Sequence, residues 1–588
     1  MVAPLFREAW GLVLALLRAL SGDFDFGSSS TLRSSFITWL CCRFQSLKSA
    51  IDFVMELFYL FFCLSLTVAQ SPVVNLDYAS YRGRSLPNGV SQWLGMRFAA
   101  PPVGDLRFAA PEDPKTQQGV QNATNHGSLC IPVAGSLNTP IAKQRSEDCL
   151  FLDVYAPTKS IKASTNRLPV YFFIQGGGFA DLSNANYNGS GLVQASGGNM
   201  IVVTFNYRVG PYGFLAGDEV ESEGSLNNGL KDQIKALKWV KKYISNFGGD
   251  PNRIVIGGDS AGGASVTLLL SAYGGRNDGL FIGAAAESQS FGTMLNISES
   301  QFAYDNLVIR TGCTNTDDTL ACLRSLDIKT LQNQNIGTPL PGGTNKPLYL
   351  YSPTIDGDLV QDHTLTLFRK GKFIKVPVIF GDDTNEGTIF VPKSTSSLAA
   401  ADTFIKDQFP SISASQMSRV NSIYLTPNQT KIYPGSSAYW PPTSTAYGEI
   451  RYICPGIEMS SIYAAAGVKS WNYHFAVQDP HFDSIGEGTT HTVEVNAIWG
   501  PDYVSGVPPD SYYTTNAPIV PLMQGYWTSF VRDLNPNTFR AAGSPEWGTW
   551  GDYRRIFIRT NQTAMESVPA EQRERCKYLA SIGVDLRQ

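Results

Sequence analysis

The sequence predicts an α/β fold: a mostly parallel central sheet flanked by helices. Three observations predict it. Continuous apolar runs at residues 168–174, 201–205 and 254–256 read as strands buried on both faces. An amphipathic helix at residues 230–244 separates the last two, with Leu230, Ile234, Leu237, Trp239 and Val240 as its apolar positions. The third run enters a cluster of small residues and then another apolar helix at 264–270. Strands that alternate with helices in this way form parallel sheets.

Composition sets the outer bounds. The chain has 588 residues, 43% hydrophobic and 12% aromatic, which suits a large buried core. The formal charge of −4, with no basic run, argues against a nucleic-acid partner. After Met55 and Glu56, residues 57–66 are almost wholly apolar, and Thr67, Val68 and Ala69 follow as small residues. This reads as a signal-peptide core and cleavage site, too short to span a bilayer. We therefore expect residues 1–54 to be an upstream extension outside the mature protein, 55–70 a signal peptide and 71–588 one folded domain. No stable membrane insertion is expected after the signal is removed. The competing reading is an anchored form that keeps residues 1–70.

Cysteine usage fits export. Nine cysteines become six without Cys41, Cys42 and Cys63. Cys130/Cys149 and Cys313/Cys322 are the close pairs, leaving Cys454 with Cys576, although six cysteines allow 15 pairings. Five glycosylation sequons occur, at Asn122, Asn188, Asn296, Asn428 and Asn561.

Along the mature chain, residues 93–98 read as a strand before a proline-punctuated loop, and 146–155 alternate as a strand. The 168–174 strand ends in Gln175-Gly176-Gly177-Gly178. Residues 246–251, Asn-Phe-Gly-Gly-Asp-Pro, stop the amphipathic helix. Gly258-Asp259-Ser260-Ala261-Gly262 then fits G-x-S-x-G, a nucleophile elbow between strand and helix. Its serine needs positive φ on a tight turn, so its neighbours must be small. A serine hydroxyl also needs an adjacent base. Of five histidines, His126 and His363 fall in the wrong place for the order serine, acid, histidine. His474 lies inside a strand-like segment and His481 in a Pro480/Phe482 turn. His491 follows a glycine-containing loop and precedes an apolar segment, so it can reach across a pocket. For the acid, the strand at 376–380 ends beside Asp382, Asp383 and Glu386. All three remain candidates on the residues alone; the plainest reading of Asp382 and Asp383 is a solvated turn.

These motifs resemble the type-B carboxylesterase family of the α/β-hydrolase fold, which includes cholinesterases and fungal lipases. Glu147-Asp148-Cys149-Leu150 and the run from Phe247 through the elbow to Gly263 carry the likeness most closely. Gln175 before the glycines, and Asn186-Tyr187-Asn188-Gly189 after them, look most like secreted fungal esterases. The resemblance covers roughly Val73 to the C-terminus and implies one catalytic domain. It implies Ser260 as nucleophile, His491 as base (with Glu494 three residues on, as in the family) and Glu386 as the acid before Gly387. It also implies an oxyanion hole from the N–H groups of Gly177, Gly178 and Ala261, and buried ion pairs Arg208–Asp232 and Arg107–Glu147. No metal or cofactor is implied, and the partner is a small-molecule ester. The oligomeric state is left open.

Two departures stand out. Gln175 replaces the family's usual histidine, and Asp259 replaces its frequent glutamate. A cholinesterase is disfavoured, because residues 131–148 contain no Trp, Tyr or Phe to face a quaternary ammonium. The same segment has two prolines, Pro132 and Pro140, and few apolar residues, so a lipase-type lid is not expected there. The reading from another class is a cholinesterase-like binding protein without activity. Such relatives typically lack the serine or the histidine, and both are present here.

Overall fold

The computed structural model describes residues 71–134, 145–161, 167–182, 186–425, 433–506 and 508–588. The extension, the signal-like segment, Asn428 and most of the 131–148 segment lie outside the described residues. In chain order the strands are β1 Val73–Asn75, β2 Ser80–Arg82, β3 Arg84–Ser85, β4 Val90–Arg97, β5 Val120–Asn122, β6 Phe151–Pro157 and β7 Leu168–Ile174. There follow β8 Ile201–Phe205, β9 Gly249–Asp259, β10 Gly283–Glu287, β11 Val378–Asp383, β12 Ser470–Phe475, β13 Arg554–Ile558 and β14 Ala564–Ser567.

Eleven of them form one sheet in the order β14-β13-β12-β11-β10-β9-β7-β8-β6-β4-β3. From β8 through β13 every neighbouring pair is parallel, and the strands outside that block are antiparallel. The buried runs explain this. In β7, Val170, Phe172 and Ile174 enter the core on one face of the sheet, while Tyr171 and Phe173 enter the core on the other. In β9, Ile254 and Ile256 are divided from Val255 in the same way. Both faces are covered, as a parallel sheet requires.

The predicted helix forms at Asn228–Tyr243, followed by a 3-10 turn at Ile244–Phe247. One strand is shorter than the sequence suggests. Residues 146–150 stay irregular and β6 starts at Phe151. There the Phe151 N–H turns back onto the Cys149 carbonyl, and Cys149 is tied to Cys130. Arg107 and Arg97 hold the neighbouring carboxylates of Glu147 and Asp148, so side chains, not a ladder, fix this segment.

Candidate active site

β9 runs into Ser260, which takes φ 55° and ψ −118°, and the helix Ala261–Gly275 starts immediately after it. The turn is tight because Gly262 lies against β7: a Cβ there would sit 1.8 Å from the Ile174 carbonyl oxygen. The Ser260 N–H donates to the Glu287 carbonyl at the end of β10, which fixes the elbow from its other side. Ser260 is buried among its neighbours, at 8% exposure.

His491 and Glu386, 105 residues apart, are joined through Nδ1 and Oε2. Glu386 Oε1 accepts the Asp383 N–H at 2.8 Å, which locks the carboxylate. Tyr452 and Phe390 pack on the imidazole, with centroids 4.4 and 5.1 Å away. His491 Nε2 is buried and has no hydrogen-bond partner among the described residues, Ser260 Oγ included. Such bonds are often long in ligand-free enzymes. The other histidines are engaged elsewhere: His126 with Asp153, and His474 with Glu566 and Thr384. His363 lies near Asp362, and His481 sits in the short helix Pro480–Ser484.

The glycine loop after β7 passes beside the elbow. Gly177 has φ 115°, and a Cβ there would meet the Asp181 carbonyl oxygen at 1.8 Å, so no other residue fits. The N–H groups of Gly177, Gly178 and Ala261 have no acceptor among the described hydrogen bonds. Asp259 Oδ1 accepts the Gly176 N–H at 2.9 Å, joining the loop to the elbow. The Gln175 carbonyl accepts from the Tyr207 hydroxyl at 2.8 Å. The Asp259 side chain therefore braces this loop, whereas Gln175 joins it through its backbone carbonyl.

Residues 70–578 match the carboxylesterase family.

The chain belongs to that family.

It is an ester-hydrolysing serine hydrolase. Secreted lipase 4 of Gibberella zeae is 32% identical over 504 residues, covering 82% of this chain and 87% of the relative. Lipase 1 of Geotrichum candidum is 35% identical over 366 residues, 55% of this chain and 64% of that one. The crystal structure of Aspergillus niger EstA superposes with a TM-score of 0.84 at 45% identity, covering 88% of this chain and all of that one.

The structure corrects the solvated-turn reading of Asp382 and Asp383. Both are buried at the end of β11, which is paired on one side by β10 and on the other by β12. They belong to a buried acid cluster in the esterase. Glu287 accepts from Tyr171 and Trp527, Glu494 from Tyr473, and Asp382 from Gln289. Burial pushes the Asp382, Asp383 and Glu287 carboxyls well above the usual carboxylate range, and neighbouring carboxylates add to it. Burial also raises Glu494, and it pushes Asp259 up to about 6. Asp383 and Glu494 converge on the Ser288 hydroxyl, which lies 3.4 Å from Asp383 Oδ2 and 3.3 Å from Glu494 Oε1.

A carboxyl with a raised folded value binds more protons folded than unfolded. Its stabilisation is fully present below the unfolded value, about 4, and is lost as pH rises through the folded value. Asp383→Asn removes that titration and keeps the side chain's size. The variant's melting temperature relative to wild type is expected to climb as pH goes from about 5 to about 8. A difference that stays constant or shrinks over that range, by calorimetry, would contradict the raised Asp383 carboxyl.

The three disulfides pair Cys130–Cys149, Cys313–Cys322 and Cys454–Cys576. Both ion pairs form: Arg208 with Asp232 at 2.8 Å and Arg107 with Glu147 at 2.6 Å. Asn122, Asn296 and Asn561 are exposed, while Asn188 is half-buried and its side-chain oxygen accepts from Ser190. Sequence reasoning missed the aromatic packing on His491 and the Asp383 N–H that holds Glu386. The rings on His491 come from distant segments, at Phe390 and Tyr452, so no local motif marks them; the Asp383–Glu386 bond is local, but it depends on β11 ending in a turn at that point. No helix among the described residues is long and apolar enough to cross a membrane.

Proposed function

We propose that this carboxylesterase works through a Ser260–His491–Glu386 triad and an acyl-enzyme. Ser260 Oγ attacks the ester carbonyl and His491 Nε2 takes its proton. Glu386, on Nδ1, holds the tautomer and stabilises the imidazolium. The N–H groups of Gly177, Gly178 and Ala261 receive the oxyanion without reorganisation. The alcohol leaves with the proton from His491, and water, activated by the same base, cleaves the acyl-enzyme. The observation that carries this reading is the Glu386–His491 bond, which leaves Nε2 free at an elbow whose serine has positive φ.

The protein acts outside the cell in this reading. The signal-like segment and the names of the secreted lipase relatives support it. Residues 1–54 are then absent from the mature chain, which consists of the single catalytic domain 71–588 and carries N-glycans at its sequons. N-terminal sequencing of secreted protein should begin at Gln70 or Ser71, and a start before Met55 would refute the processing. A fluorophosphonate should label one peptide, containing Ser260, as read by mass spectrometry; labelling elsewhere alone would sink the triad. An acyl-chain series measured below and above solubility separates esterase from lipase. We expect the best rates on short and medium soluble esters, with no jump on emulsion formation.

A further inference from the structure

Arg451 is a buried cation without a counterion. It lies in the π-helical turn Glu449–Ile453, within the helical stretch that starts at Trp440 and ends at Ala465. Its side chain is 7% exposed, and no carboxylate among the described residues pairs with it. Among the described residues, its one side-chain hydrogen bond of good geometry is Nε to Ser290 Oγ, at 2.8 Å. The rings of Tyr349, Tyr452 and Tyr447 surround the guanidinium at 5.1, 5.8 and 5.9 Å. Ring faces attract a cation, but they do not satisfy five N–H donors. A buried charge is ordinarily paired, because leaving water is costly.

The cation also sits one side chain from the reacting groups. Tyr349 lies directly against Gly178, where a Cβ would fall 1.9 Å from its ring. Tyr452 packs against His491 with its ring tilted by 46°. Ser290, which takes the Nε hydrogen bond, donates its own N–H to the Ser260 carbonyl. Arg451, Ser290, Phe291, Phe179 and Ala264 line one small cavity of about 30 Å³. That cavity has room for a head group the size of a carboxylate, and the rest of its wall mixes Leu268, Met294 and Pro353 with the hydroxyl-bearing Thr267, Thr293 and Ser352.

We propose that Arg451 is a specificity-determining residue that takes an anionic group of the substrate, so that the preferred esters carry a carboxylate a few atoms from the scissile bond, as monoesters of small dicarboxylic acids do. The inference rests on the Ser260-centred reading above. The guanidinium donates to the incoming carboxylate, the ion pair forms out of water, and the ester carbonyl is directed to the elbow. A hydrogen bond to a charged group in such a site corresponds to roughly a ten- to hundredfold preference.

Two matched pairs of esters test it on the intact protein. One pair differs on the acyl side: mono-4-nitrophenyl glutarate against 4-nitrophenyl valerate. The other differs on the alcohol side: 3-acetoxybenzoate against phenyl acetate. We expect wild type to favour the carboxylated member of at least one pair by about tenfold or more in kcat/KM. Arg451→Gln should cut that ratio at least about tenfold, and Arg451→Lys should restore part of it. No preference in either pair, or a preference that survives Arg451→Gln, overturns the proposal while leaving the esterase reading intact. Should Arg451→Gln fail to accumulate, the wild-type ratios and Arg451→Lys decide. A wild type inert on all four esters would overturn both readings.

Discussion

Replacing Ser260 with alanine is expected to lower kcat on soluble esters by a factor on the order of 10⁵–10⁶ and to abolish phosphonate labelling. The size follows from how the parts act together. The hydroxyl has no nucleophilic substitute at the elbow, where φ is positive and Gly262 packs against the Ile174 carbonyl. His491→Ala should cost a comparable factor, because the hydroxyl is a weak nucleophile without its base. The double variant should be little worse than either single one, since groups acting as a unit are not additive. Residual turnover belongs to the backbone donors and to substrate binding. Steady-state kinetics with single-turnover controls measures this. A Ser260→Ala enzyme within tenfold of wild type would remove Ser260 from the mechanism.

Asp232→Ala should have the largest effect on stability, a loss of about 3–5 kcal/mol. Asp232 is wholly buried and takes three hydrogen bonds from Arg208: from Nε at 2.8 Å, Nη2 at 2.8 Å and the backbone N–H at 3.0 Å. Arg208 is itself 3% exposed, and its remaining side-chain hydrogen bond, from Nη1, goes to the Ala109 carbonyl. Removing the carboxylate leaves a guanidinium in the core with most of its donors unmet. The damage should spread to the site. Two residues on, the Gly210 N–H donates to the Phe179 carbonyl, next to the glycine loop. Turnover per folded molecule should therefore fall as well. The pair Arg208→Met with Asp232→Leu should recover much of the stability, because it removes both charges and keeps the volume. Chemical-denaturation midpoints of the three proteins test this. A loss below about 1 kcal/mol in the single variant would show that the pair is not the buried anchor we describe.

The two effects differ in kind, and the sequence foretold them unequally. The elbow was legible because its causes are local. A tight strand-to-helix turn needs small residues at fixed offsets, and β9, Ser260 and the following helix lie within 27 consecutive positions, residues 249–275. The strands of the parallel block were legible for a similar reason. A strand buried on both faces must be apolar at every position, whatever covers it. The pairing of Glu386 with His491 needed the family resemblance, because 105 residues separate them. Chain order and glycine neighbours narrow the choice, but no spacing rule links a strand end to a distant loop.

Burial of polar side chains was decided by the tertiary structure alone. Asp382 and Asp383 sit among turn-forming residues in the sequence and belong to a solvated loop on that basis. In the fold, β10 and β12 flank their strand and Glu494 arrives from the segment after His491, so both carboxyls enter the core and burial raises their pKa. Arg451 is the converse case. Nothing around it in the sequence marks it, since its surroundings come from Ser290 after β10, from Tyr349 and from its own helix. Sequence by itself determined the fold class, the elbow and the glycine loop, because backbone sterics and uniform burial leave their marks on adjacent residues. Only the tertiary structure decided which charges lie in the dark around that elbow, because desolvation depends on every segment packed against a group, however far away in the chain.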